Sequence, residues 1–160
     1  MNDYLFLFKG RIYPKYLENG NRTKYIEPTA LEYCKGDGID VGSGANPLKG
    51  AMPFDLKKGD DAYNLPDRLF DYIYSSHCLE HLPEPIRALR HWKSRLKEGG
   101  TLFLYLPHKD MLRWSKENNR SHLYMWNPSE MAGIIKDIGF KDVLYSERDM
   151  NWSFSVYARN

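Results

Sequence analysis

Two features of this chain have the residue types and spacing to do chemistry. The first is Asp40-Val41-Gly42-Ser43-Gly44, where an apolar run turns at two glycines. Glycine adopts backbone conformations closed to other residues and lets a ligand approach the main chain. The next apolar segment, Met52-Pro53-Phe54, ends in Asp55, and a carboxylate so placed can accept both hydroxyls of a ribose diol. Taken singly, these are an ordinary structural turn and an ordinary turn aspartate; together they describe one edge of a nucleoside-type ligand. The G-x-G-x-x-G pattern of dinucleotide sites is not completed, because Gly44 runs into Ala45-Asn46-Pro47 and Gly50 falls too late.

The second feature is histidine. There are five: His77, His81, His91, His108 and His122. His77 and His108 each follow a predicted strand, so both fall on the edge of the sheet where a ligand binds, and an imidazole titrating near neutrality suits a general base. His77 or His81 serves equally well as a backbone cap. His91 falls on the polar face of a predicted helix, where it is expected to be solvated. His122 stands with Trp114, Tyr124 and Trp126 in a stretch that reads either as an acceptor lid or as packing anchors for a long loop.

The elements that must hold these residues read as an alternation of strands and helices. Strands are predicted over 38–41, 52–56, 62–65, 70–75 and 101–106, the last continuously apolar, as in a strand covered on both faces. Helices are predicted over 29–34, starting after Pro28, and over 85–97, where Ile86, Leu89, Trp92 and Leu96 form one face and Gly99-Gly100 supplies the cap. Asn127-Pro128-Ser129-Glu130 is a helix start with a capping box; Met131, Ile134, Ile135 and Ile138 form the buried stripe, and Gly139 stops it. Strands over 141–146 and 152–158, with no crossover between them, are expected to be antiparallel neighbours. Glu18-Asn19-Gly20-Asn21 reads as a turn. The segments 45–51 and 56–60 are shorter than a parallel crossover normally requires, so the first helices between strands must be reduced to turns.

A chain of 160 residues, 42% hydrophobic and 28% charged, has room for one domain. It divides into an N-terminal arm (1–28), a ligand-binding core (36–107), a lid segment (108–126) and a C-terminal helix with a strand pair (127–160). A net charge of +2 gives no footprint for nucleic acid, and the basic run Arg87, Arg90, Lys93, Arg95, Lys97 reads as a solvated helix face. Twelve Tyr and four Trp supply core bulk or wall a ligand site. Cys34 and Cys78 form no CxxC pair, no metal-ligand spacing is read, and no signal or membrane-spanning segment stands out. A cytoplasmic protein is expected.

The ordered set carries a resemblance. Asp40-Val41-Gly42-Ser43-Gly44, Asp55, Asp61-Ala62-Tyr63-Asn64-Leu65-Pro66, Phe70-Asp71-Tyr72-Ile73 leading into Cys78-Leu79-Glu80-His81-Leu82, and Leu96-Lys97-Glu98-Gly99-Gly100 leading to Pro107 resemble the class I S-adenosylmethionine-dependent methyltransferases, in particular the type 11-like group, in abridged form. The likeness runs from about Gly38 to Pro107. It implies an α/β, Rossmann-like, mostly parallel sheet with an antiparallel C-terminal edge. It further implies S-adenosylmethionine as cofactor, with Asp40, Gly42 and Gly44 on its amino acid part and Asp55 on its ribose. Asp61 with Ala62, or Asn64, meets the adenine; Ser75 and Ser76 line the methyl-donor end; Leu56 and Leu65 are included among the contacts.

The function so implied is methyl transfer to a small-molecule or sugar-containing acceptor, with His77 and His108 as candidate bases. No Asn-Pro-Pro-Tyr follows the fourth strand, against a methylase of exocyclic base nitrogens. Three other readings stand beside it: a cofactor-binding protein without transfer activity, motivated by the short crossovers; a dinucleotide-dependent oxidoreductase, set back by the missing third glycine; and an RNA-modifying enzyme.

Overall fold

The computed structural model describes residues 5–15 and 22–160. A hairpin of β1 (Leu5–Phe8) and β2 (Arg11–Pro14) precedes helix α1 (Arg22–Tyr33). The main sheet has six strands, β3 (Gly38–Val41), β4 (Met52–Phe54), β5 (Phe70–Ser76), β6 (Leu96–Pro107), β7 (Lys141–Tyr145) and β8 (Ser153–Arg159), in the order β4-β3-β5-β6-β8-β7. The first four in that order are parallel, and β8 runs antiparallel to both β6 and β7. Helices α2 (Pro85–Ser94) and α3 (Pro128–Asp137) complete the three layers. The mostly parallel sheet with an antiparallel C-terminal edge is as the sequence predicts.

Side chains alternate across a strand, and β6 shows why its sequence is apolar without a break. Phe103 and Tyr105 join Ile26 and Ala30 of α1 on one face, while Leu102, Leu104 and Leu106 join Leu89 and Trp92 of α2 and Met131 and Ile135 of α3 on the other. Burying each such side chain stabilises the fold by about 1.5–3 kcal/mol. The same alternation sends Ile39 and Val41 of β3 to the α2–α3 face. The intervening Asp40 therefore turns to the α1 face, where its Oδ2 accepts from the Leu48 amide at 2.7 Å.

Several predicted elements differ. Helix α1 runs through Pro28 instead of starting after it. Ile26, Ala30 and Cys34, four residues apart, are all buried, and that stripe outweighs the cost of a proline inside the helix. Residues 62–65 form no strand. Asp61 organises them as a turn, its Oδ1 accepting from Tyr63 N at 2.9 Å and its carbonyl from Asn64 N at 2.8 Å, the aspartate turn chemistry that competes with a ladder. Gly99 and Gly100 do not cap α2, which ends at Ser94; they lie inside β6 at a register shift against β5. Ile86, placed on the buried stripe by its spacing, is exposed. The capping box at Asn127 and Glu130 is formed on both sides. Part of the 1–28 arm is the β1–β2 hairpin, with Tyr13 and Phe6 packed against Met111, Trp114 and Trp152. The turn expected at 18–21 lies outside the described residues.

Candidate functional site

The connections after β3 and β4 contain no α-helix. The chain crosses from β3 to β4 over residues 42–51, and from β4 to β5 with only the short 3-10 turn Leu56–Lys58. What remains beyond the carboxyl ends of β3, β4 and β5 is an open cleft of about 510 Å³, within the usual range for a small-molecule site. Gly42, Gly44, Asp55, Leu56, Asp61, Ala62 and His77 all line it.

The glycine turn and the carboxylate are joined directly. Gly44 N–H donates to Asp55 Oδ2 at 2.8 Å and Lys57 N–H to Oδ1 at 2.9 Å, while Gly42 N–H donates to Phe54 O at 2.8 Å. A carboxylate offers about four lone-pair sites. Two are filled by amides, which leaves one on each oxygen for a pair of hydroxyls. The two glycines differ. Gly44 has φ +54 and a side chain there would enter open space, whereas at Gly42, with φ +81, it would collide with Cys78. Gly42 is required by packing, and Gly44 is the bare edge of the cleft. Apolar surface from Val41, Phe54, Ala62 and Leu82 completes the wall.

Other predicted site residues lie elsewhere. Asp40 is buried beneath the 43–48 turn, which it holds through Leu48 N; burial pushes its carboxyl up to about 7. Ser75 is fully buried and donates to Val41 O at 2.7 Å. Ser76, Asn64 and Leu65 do not line the cleft, and Leu65 is a core residue. His108 also does not line it: β6 pairs with β8 as far as Pro107↔Ser153, and the His108 ring lies edge-on to Phe154 beside Asp110, its pKa lowered by burial. His91 is not simply solvated, because its Nε2 accepts from Leu65 N at 2.9 Å.

His77 stands at the end of β5 with φ +49, a left-handed backbone uncommon outside glycine. Its Nε2 lies 3.0 Å from Ser153 Oγ, and its ring meets Tyr105 and Trp114 edge-on. Beside it, also on the cleft, are Cys78, whose thiol burial raises to about 12, and His81. Glu80, between them, is fully buried, and burial pushes its carboxyl up to about 8. The segment after β6 is tied down here: Leu123 N and Tyr124 N donate to Glu80 O, and Tyr124 OH donates to Pro83 O. Trp126 stacks on Tyr124. Residue type and spacing did not mark Lys57, Asp60 and Pro83 as lining residues, since nothing but the closing of the turns brings them to the cleft.

A family model described as a methyltransferase domain matches residues 18–145. A tRNA U34 carboxymethyltransferase of Tolumonas auensis is 26% identical over 136 residues, covering 78% of this chain, which itself spans 39% of that protein's length. Among solved structures, a SAM-dependent methyltransferase of Archaeoglobus fulgidus superposes with a TM-score of 0.69 at 17% identity, over 91% of this chain and 97% of the other. Phosphoethanolamine N-methyltransferase 2 of Haemonchus contortus, in complex with S-adenosyl-L-methionine, gives 0.59 at 19% identity, over 76% and 38%.

Proposed function

The chain belongs to the methyltransferase-domain family, and from that premise we propose how its cleft serves S-adenosylmethionine-dependent methyl transfer and to what kind of acceptor. The observation that carries the reading is the joined edge, Gly44 amide to Asp55 carboxylate, on an open cleft beyond the parallel strands. The donor set fits the cofactor: two free acceptor sites on Asp55 for the ribose hydroxyls, the apolar wall of Leu56, Ala62 and Leu82 for the adenine, and the bare Gly44 turn for the amino acid end. Asp40 and Ser75 contribute by shaping the turn and strand end, without reaching the ligand.

When bound, the cofactor supplies an electrophilic methyl group. The protein orients the acceptor in line with it and keeps water out, which accounts for much of the acceleration. His77, which lines the cleft and is backed by Ser153, takes the acceptor's proton where the acceptor carries one.

The acceptor is a small or sugar-containing molecule. Supporting this, the basic run on and after α2 is engaged with neighbours: Arg87 with Glu84, Arg95 with Asp67, Lys97 with Asp71 and Lys93 with Asn160. Little of it is left to track a phosphate backbone. No helix among the described residues is long and apolar enough to cross a membrane. The tRNA-modifying relative makes RNA the reading to test against.

Calorimetry with S-adenosylhomocysteine and with NAD, followed by methyl transfer across an acceptor panel that includes tRNA, tests the assignment. Preferential binding of NAD overturns the cofactor reading, and salt-dependent tRNA binding with transfer to it overturns the acceptor class.

A further inference from the structure

Next to the cofactor edge, side chains from two distant segments converge. Glu80 and His81 come from the 3-10 turn Leu79–His81 that follows β5, and His122 from the stretch between β6 and α3. One ligating atom from each lies within 4.8 Å of the other two. The chain separation between His81 and His122 hides this set from any spacing rule.

Two of the three are polar groups buried without partners. Glu80 is wholly buried, and among the described residues neither of its carboxylate oxygens meets a hydrogen-bond donor from another residue. Its Oε1 lies 3.6 Å from His77 Nδ1 and 3.7 Å from His81 Nε2. His122, 5% exposed, leaves Nδ1 buried and unpartnered. Native proteins rarely leave such groups orphaned, and each instance needs a physical cause. A cation between them offsets the cost for one Glu80 oxygen and for the His122 nitrogen together.

The outer contacts point the same way. His81 Nδ1 lies 2.7 Å from Ser121 O, so Nδ1 carries the hydrogen and Nε2 turns its lone pair toward Glu80. His122 Nδ1 is buried with no hydrogen-bond partner among the described residues. Histidine ligands of metals are held in this manner, with one ring nitrogen on a backbone carbonyl and the other on the ion. The two segments are also clamped together, since Leu123 N donates to Glu80 O at 2.8 Å.

We propose that Glu80, His81 and His122 bind one first-row divalent transition-metal ion, with an open coordination position facing the cleft beside His77. Two imidazoles and one carboxylate favour zinc, manganese, cobalt or nickel over magnesium or calcium, which prefer oxygen. Ligands about 2.0–2.2 Å from an ion must lie closer together than the 4.8 Å that bounds these atoms, so binding of the ion would draw the three side chains inward. His81 reaches the cleft itself, so an acceptor oxygen entering there meets the open position; this role rests on the methyl-transfer reading, whereas binding of the ion does not.

The test is a cobalt(II) titration of untagged, chelator-treated protein, followed by visible ligand-field absorption and by metal analysis. One equivalent is expected, with affinity lowered at least about tenfold in Glu80→Gln and in His122→Gln; should one variant fail to fold, the other decides. No stoichiometric uptake by the wild type, or uptake unchanged in the folded variants, overturns the site. Asp55→Ala separates the two ideas: it is expected to weaken S-adenosylhomocysteine binding more than about tenfold and to keep cobalt affinity unchanged. Cobalt uptake in a protein that binds no S-adenosylhomocysteine leaves the metal site standing and removes the methyl-transfer reading.

Discussion

The Gly44 amide and the Asp55 carboxylate, contributed by the turns after β3 and β4, are hydrogen-bonded at 2.8 Å across the mouth of the cleft. The bond ties two crossovers that contain no α-helix, and it leaves the carboxylate on the cleft with one acceptor site on each oxygen to spare. Asp55→Ala is expected to weaken S-adenosylhomocysteine binding by about 1.5–3 kcal/mol, the loss of a charged hydrogen-bond partner. It should also lower stability by about 1 kcal/mol, because the same side chain caps the Leu56–Lys58 turn. Calorimetry and urea denaturation read the two effects separately. An unchanged affinity would remove Asp55 from the site.

Gly42 and Gly44 should respond differently to the same change. A methyl at Gly42 meets Cys78 and sits at φ +81, while at Gly44 it projects into open space at φ +54. Gly42→Ala is expected to cost about 2–4 kcal/mol in folding stability, combining backbone strain with a forced shift. Gly44→Ala should cost only about 1–2 kcal/mol and instead weaken cofactor binding by placing a methyl in the cleft. Equal losses of stability in the two variants would contradict this division.

The parts of this molecule legible in the sequence were those set by local chemistry or by burial on both faces. The β6 run, the Asn127 capping box and the paired terminal strands needed no knowledge of what lay across the sheet. The glycine turn and Asp55 were legible as neighbours because a strand separated each from the same edge. Asp40 and Ser75 lie off the cleft for a geometric reason: strand alternation and a one-residue difference in where β5 ends decide which side chain reaches it, and neither is written in residue type. Residues 62–65 read as a strand until Asp61 is seen capturing the Tyr63 amide. Glu80, His81 and His122 meet only after the stretch following β6 folds back, a long-range event with no local signature.

His77 combines a left-handed backbone with a place on the cleft. Asn tolerates that backbone best among the non-glycine residues, so His77→Asn removes the imidazole with the least disturbance of the chain. With an acceptor that must lose a proton, the variant is expected to lose roughly 100-fold or more in kcat and to bind S-adenosylhomocysteine within about twofold of wild type, a change below 0.5 kcal/mol. Stopped or steady-state transfer assays alongside calorimetry separate these. Full activity in the folded variant would return His77 to a purely structural role.

Asp40 gives the protein a definite dependence on pH. Its carboxyl is raised by burial to about 7, with the charge of Asp55 adding to the effect and the Leu48 amide opposing it, while the unfolded chain titrates near 4. The folded state therefore holds a proton that the unfolded state gives up, and the stability this represents is fully present below about pH 4 and lost as pH rises toward 7. Asp40→Asn keeps an acceptor for the Leu48 amide and cannot ionise. Between about pH 5 and 7 the variant should gain on the wild type by up to about 1.4 kcal/mol per pH unit, and the difference should level off above that range. Urea denaturation of both proteins at several pH values measures it, and a gap that stays constant from pH 5 to 8 would show that the Asp40 proton is not retained on folding.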